Sequence, residues 1–249
     1  MPGRLVRLNR LLAERGAASR RHADDLIRGG LVRVDGEIVR EVGAKADADA
    51  SIEVEGRSLE RGPRVYLVLN KPKGVVCTNA PGEKRPRAVD LVRARGGTRL
   101  FCVGRLDLES SGLLLLTNDG AFADRVLHPR YGVPRTYWVR VKGKIAGEAL
   151  RKIENGVWLS EGRAGRSRVL VRRRFRDSSV LLVTLREGKN REVRRAFAKV
   201  GHPVIDLART RIGPVTIRGL RPGAARPLTR PEIDGLLHAA PERGTRRVR

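Results

Sequence analysis

The stretch VGRLDLESSGLLLLT, residues 103–117, holds the side chains of this sequence best suited to chemistry. Arg105, Asp107 and Glu109 alternate along a short polar segment, and four leucines, Leu113 to Leu116, follow almost at once. An apolar run that short, bounded by turn residues, reads as a central buried strand rather than a helix. A carboxylate beside buried strands can act as a nucleophile if a cation keeps it ionised and water is excluded. An aspartate in such a loop can equally cap a turn, and the segment alone leaves both readings open. Other constellations are missing from the sequence. It has no Gly-rich phosphate loop ending in Lys-Ser/Thr, no dinucleotide fingerprint and no serine nucleophile elbow. His22, His128, His202 and His238 fall at no metal-ligating spacing, and Cys77 and Cys102, far apart in sequence, form no metal-type pair. An enzyme built this way is expected to work without metal or cofactor, through carboxylate, phenol and guanidinium groups.

The surrounding elements follow from pattern. VYLVLNKP is a buried strand stopped by Pro72, RLFCVG a strand leading into the Asp107 loop, and NDGAFADRVL the start of a helix with Phe122 and Val126 one turn apart. RTYWVRVKGKI alternates as a strand, with Tyr137, Val139 and Val141 on one side. VLLVTLREGKNREVRRAFAKVG runs strand, loop, helix, with Val193, Phe197 and Val200 on one helical face and Gly201 as its stop. IDLARTRIGPVTIRGL supplies two more strand-like pieces. Strands with helices interspersed, but without regular βαβ alternation, predict an α+β domain around a mixed sheet over residues 63–232. Residues 233–249 are expected to form a basic, disordered tail.

Composition points to a polyanionic partner. The 249 residues carry 53 Lys+Arg against 27 Asp+Glu, a formal net charge of +26. The charge is segregated as well as large. Residues 151–199 hold fifteen basic and five acidic side chains, whereas residues 34–62 hold four basic and eight acidic ones; a phosphate-binding surface needs such patches. Two unpaired cysteines suit a reducing cytoplasm, and neither a signal-peptide core nor an apolar run of membrane-spanning length is present in the sequence.

Residues 1–62 form a separate module with its linker, which is read from the Gly- and Arg-rich stretch EGRSLERGPRV. Leu5, Leu8, Leu11 and Leu12 share a helical face, with Gly16 as the stop. Ser19 is the expected N-cap of a second helix facing inward through Ala23, Leu26 and Ile27, and LVRVDGEIV is a hairpin turned at Asp35-Gly36. Arg20 and Arg21 sit in the first turn of that second helix, where the helix dipole slightly disfavours cations. A ligand phosphate accounts for that placement better than the fold does.

RLNRLLAERGAASRRHADDLIRGGLVRVDGEIV resembles the small RNA-binding module of the S-four type, and the resemblance implies Arg7, Arg20 and Arg21 as phosphate contacts. VGRLDLESSGLLLLTNDG resembles the signature of the RsuA/RluB/RluE/RluF family of ribosomal RNA pseudouridine synthases. NKPKGVVCT, HPRYGVPRTYWVRVKG, LREGKNREVRRAFAKVGHPV and LARTRIGPVTIRGLRPG match it further, in family order. The resemblance implies a catalytic domain with a mixed, largely antiparallel central sheet that isomerises a flipped uridine to pseudouridine. It makes Asp107 the catalytic aspartate, Tyr137 the residue that packs on the base, Arg194 the cation paired with the aspartate, and Arg105 the residue filling the gap left by the extruded nucleotide. Glu109 has no such counterpart. EGKNREVRR is most similar to the RluB type, which implies large-subunit ribosomal RNA as partner; the alternatives are small-subunit ribosomal RNA or a non-catalytic ribosome-assembly factor. A monomer is expected, because the RNA supplies the large interface.

Overall fold

The computed structural model describes residues 5–60, 62–80, 82–92 and 98–238. They fall into two compact units, one made of the described residues up to Val65 with 98–100 and 118–120, the other of the rest.

In the first unit, β1 (Leu5–Arg7) leads straight into α1 (Leu8–Glu14), and α2 (Arg20–Arg28) follows. Leu8, Leu11 and Leu12 close on Ala23, Leu26, Ile27, Val32 and Ile52 as a small core. Ser19 caps α2, its hydroxyl accepting the His22 amide at 3.2 Å. β2 (Val32–Val34) and β3 (Glu37–Ile38) form the expected hairpin around Asp35-Gly36. β4 (Lys45–Asp47), β5 (Ile52–Val54) and β6 (Arg57–Ser58) complete the unit; β4 pairs with β1, and the other four form a sheet in the order β3-β2-β5-β6. Two expectations are corrected here. Leu5 does not join the helical face: pairing with Asp47 draws it into a strand, 67% exposed. Residues 55–58, expected within a linker, are the turn and second arm of the β5–β6 hairpin, which the Leu59 amide continues by donating to the Ile52 carbonyl at 2.8 Å.

The second unit contains β7 (Tyr66–Lys71), β8 (Phe101–Val103), β9 (Ser111–Thr117), α3 (Gly120–Leu127), β10 (Arg135–Lys142), α4 (Gly147–Asn155), β11 (Trp158–Leu159), β12 (Gly162–Arg163) and β13 (Arg168–Arg174). It continues with β14 (Ser178–Leu185), α5 (Glu192–Lys199), β15 (Val204–Ile212), β16 (Val215–Thr216), β17 (Ala225–Pro227) and α6 (Arg230–Leu237). The main sheet runs β13-β14-β10-β15-β9-β7-β17, with β16 on β15 and β8 on β9. It is mixed and mostly antiparallel, making the protein α+β. Between the named strands of the described residues, the parallel pairing is β9 with β15, through Ser111–Ala208 and Gly112–Arg209. The approach there is close. At Gly112, with φ +104°, a Cβ would lie 2.2 Å from the Arg209 carbonyl oxygen, so glycine is required.

Leu113 to Leu116 are completely buried, as a central strand requires. Leu113 and Leu115 join Val68, Phe122, Val126 and Leu236 in one core. Val139, Val141, Leu181 and Val183 of β10 and β14 form another with Val193 and Phe197 of α5. Part of the expected basic tail is helical. Residues 233–237 belong to α6, whose Leu236 is fully buried and whose Thr229–Glu232 capping box fixes its start. The rest of the expected tail, 239–249, lies outside the described residues.

Candidate functional site

Asp107 sits on the loop between β8 and β9, and that loop is tied down on two sides. The Leu106 amide donates to Cys77 Sγ at 3.4 Å, and the Gly74 amide to the Leu108 carbonyl at 2.9 Å. The Ser110 amide closes a turn onto the Asp107 carbonyl at 3.1 Å. The backbone of Asp107 thus makes a turn while its carboxylate stays available to the cleft.

The cations facing it come from α5 and the loop before it. Arg191 Nη1 lies 3.5 Å and Arg194 Nε 3.7 Å from Asp107 Oδ2. At those lengths the guanidinium groups balance the charge without capping the oxygen. Arg194 is positioned by its other end, where Nη2 donates to the Ser110 hydroxyl and the Glu109 carbonyl, both at 3.2 Å. Arg191 is the N-cap of α5 and has φ +48° and ψ +30°, left-handed backbone unusual for a side chain of its size. Glu192 holds the turn in place: its buried carboxylate accepts the Lys189 amide at 2.8 Å and the Gly165 amide at 3.2 Å.

Tyr137 of β10 shares the cleft with Asp107, Arg105 and Arg191, and Leu185, Val193 and Leu207 give it an apolar wall. The outer part, bounded by Cys77, Arg105, Asp107 and Lys189, encloses about 400 Å³, within the usual range for small-molecule sites. The arrangement offers a flat ring, an apolar wall, a carboxylate and several cations: a pocket for a planar polar ring attached to an anionic backbone. Asp107, Tyr137, Arg105 and Arg194 therefore come together. Glu109 is exposed, and its carbonyl accepts a hydrogen bond from Arg194. Arg7, Arg20 and Arg21 are exposed on the first unit, and Arg20 Nη2 donates to Asn9 Oδ1 at 3.4 Å.

Several residues near Asp107 escaped the sequence reading. Arg191 is one. Lys71, the last residue before the Pro72 that stops the VYLVLNKP strand, is completely buried at the end of β7, its Nζ donating to the carbonyls of Val75 at 2.8 Å and Pro72 at 2.9 Å. Burial pulls its pKa down, opposed by the Cys77 thiol and Asp107. Cys77 and Cys102, remote in sequence, are hydrogen-bonded through their side chains. That bond, with the Leu106 amide and the charges of Lys71 and Arg209, holds the Cys77 thiol down at about 6 against the cost of burial. The Cys102 thiol is pushed up by the same hydrogen bond and by burial. A Lys before Pro and two cysteines 25 positions apart carried no signal of these contacts.

Among the described residues, no helix is long and apolar enough to cross a membrane. Residues 65–199 match the family model described as RNA pseudouridylate synthase, and residues 6–52 match the S4 (S-four) domain model. The chain is 41% identical over 234 residues to the ribosomal large subunit pseudouridine synthase B of Bacillus subtilis, covering 93% of this chain and 96% of that one. It is 42% identical over 232 residues to an uncharacterized RNA pseudouridine synthase of Mycobacterium leprae, covering 92% and 91%. A crystal structure of a pseudouridylate synthase superposes with a TM-score of 0.68 at 29% identity, covering 93% of this chain and 99% of that one.

Proposed function

The chain belongs to the RNA pseudouridylate synthase family, and from that premise we propose that it converts a uridine of large-subunit ribosomal RNA to pseudouridine with Asp107 as nucleophile. The observation that carries this reading is the Asp107 carboxylate, faced by Arg191 and Arg194 in a cleft that also holds Tyr137. The large-subunit substrate is supported by the name of the Bacillus subtilis relative.

A stacked uridine must leave the helix to reach such a cleft, at a cost of about a few kcal/mol. Arg105, exposed and two residues from Asp107, occupies the opening in the RNA, and the uracil enters against Tyr137. Asp107 attacks either ribose C1′ or uracil C6, and the bond it forms breaks again, as C5 takes C1′ from it in the first case or as it is expelled from C6 in the second, so the carboxylate is regenerated. The N1–C1′ bond breaks, the uracil turns while held, and a C5–C1′ bond forms. The C5 proton leaves, with Tyr137 as its acceptor, and N1 gains a proton, so the product is an isomer and nothing is oxidised or reduced. Arg194 and Arg191 supply positive charge beside the Asp107 carboxylate. The N-terminal module, through Arg7, Arg20 and Arg21, grips the RNA phosphates. The protein works as a monomer in the cytoplasm, one RNA per active site, in two domains with a catalytic part from about residue 63.

Tritium release from RNA labelled at uridine C5 tests the assignment. Asp107→Asn is expected to abolish release while RNA binding persists. Turnover retained in that variant would falsify the nucleophile, and an inactive wild-type protein that still binds ribosomal RNA would make it an assembly factor instead.

A further inference from the structure

A second groove lies outside the Asp107 cleft, between α4, the β11–β12 hairpin and the C-terminal end of α5. It encloses about 630 Å³, and Arg151, Lys152, Arg163 and Lys199 line it with one acid, Glu148. Lys152 and Glu148 pair at 2.8 Å across one helical turn, which leaves Arg151, Arg163 and Lys199 as the charge excess. Trp158, the first residue of the hairpin, is 66% exposed in this groove. An exposed indole beside a surplus of cations sets a stacking face and countercharges side by side. Unstacked nucleotides fit the combination, since every base offers a face to an aromatic ring and every phosphate a charge to a cation.

The hairpin is also fastened to the catalytic loop and helix. Arg195 Nη1 reaches both Glu161 carboxylate oxygens, at 2.6 and 2.7 Å, and the Ser160 hydroxyl at 3.1 Å. Lys189 Nζ donates to the Arg163 carbonyl at 2.6 Å. The element bearing Trp158 and Arg163 is therefore bonded to the segment bearing Arg191 and Arg194, and these two face Asp107.

We infer that this groove is a second RNA-contact site, in which Trp158 stacks on an unpaired base of the substrate while Arg151, Arg163 and Lys199 hold the flanking phosphates. Its partner is single-stranded RNA beside the modified uridine, a contact that selects among RNAs. The inference rests on the RNA substrate proposed above but not on the role of Asp107.

The test uses the full chain with two probes of equal charge, a twelve-residue oligouridylate and its abasic ribose-phosphate counterpart. Tryptophan emission is expected to be quenched by the oligouridylate but not by the abasic strand, and Trp158→Phe should lose the quenching. Trp158→Ala should bind oligouridylate about tenfold more weakly, within the cost of losing one stacked base, and the abasic strand unchanged. Trp158→Phe should restore that affinity, which separates stacking from a folding defect. Arg151→Glu with Lys199→Glu should weaken both probes and flatten the salt dependence. Equal oligouridylate affinity in wild type and Trp158→Ala would overturn the inference, and would leave the groove to some other partner. Turnover at saturating RNA should survive in Trp158→Ala, whereas failure of the nucleophile assignment would appear in Asp107→Asn alone.

Discussion

Replacing Gly112 by alanine should disturb both stability and turnover. At φ +104° the added Cβ would sit 2.2 Å from the Arg209 carbonyl oxygen and 2.8 Å from its nitrogen. Relief to an ordinary contact requires β9 and β15 to separate by roughly 1 Å, at their one parallel pairing between named strands of the described residues. Left-handed backbone alone costs a non-glycine residue about 1–2 kcal/mol, and loosening the packed pair beside it raises the total to about 3–4 kcal/mol. For a domain of this size that is a fall in Tm of about 6–16 °C. The strand begins four residues after Asp107, so its loop should shift as well, and a misplacement of about 1 Å can cost about a hundredfold in rate. Gly74→Ala is the control: its φ is +78°, but nothing lies within 4 Å of the added Cβ, so about 1–2 kcal/mol is expected. Scanning calorimetry and single-turnover tritium release measure the two effects. A Gly112→Ala protein whose Tm and rate match those of Gly74→Ala would refute the close-approach argument.

Arg194→Lys keeps a cation near Asp107 but loses the fork that reaches Ser110 and Glu109, so it should retain more turnover than Arg194→Met; equal loss in both would assign the role to the hydrogen bonds rather than the charge. Arg20→Glu with Arg21→Glu should weaken RNA binding and reduce its salt slope, read by fluorescence anisotropy across a salt series. With its pKa held at about 6, Cys77 forms thiolate as pH rises through that value. Its alkylation by iodoacetamide should therefore climb between about pH 5 and 7 and level off above, where an ordinary thiol, near pH 8.5, would still be climbing; mass spectrometry of residue 77 reads the difference.

Much of the site was legible because it is local. The run Leu113–Leu116 announced a buried strand, and the polar residues before it had to lie in the loop at its end. The resemblance singled out Asp107, Tyr137, Arg105 and Arg194; the first three line one cleft, and Arg194 faces the Asp107 carboxylate. What stayed hidden depends on tertiary contacts. Lys71 looks like a surface lysine until the carbonyls of Pro72 and Val75 are seen closing on its amine. Arg191 takes a left-handed conformation that nothing in its side chain predicts. Leu5 fits a helical period, but β4 claims its backbone. Glu55-Gly56 is a turn signal like Asp35-Gly36, but it opens EGRSLERGPRV, whose Gly, Arg and Pro content reads as a linker. Helix α6 runs past the expected boundary at residue 232, because its Thr229–Glu232 capping box and Pro231 in the first turn start a helix there.

The contact between Ser111 and Ala208 also has a kinetic meaning. The two strands stand about a hundred residues apart, and closing so long a loop is entropically slow compared with forming a hairpin. During synthesis β9 can pair with β7 and β8 early, but β15 does not yet exist to brace it. Arg191 and Arg194 arrive late as well. The Asp107 loop therefore reaches its final shape only after nearly the whole second unit has been made, and a nascent chain stopped before β15 carries Asp107 without the strand that braces its loop.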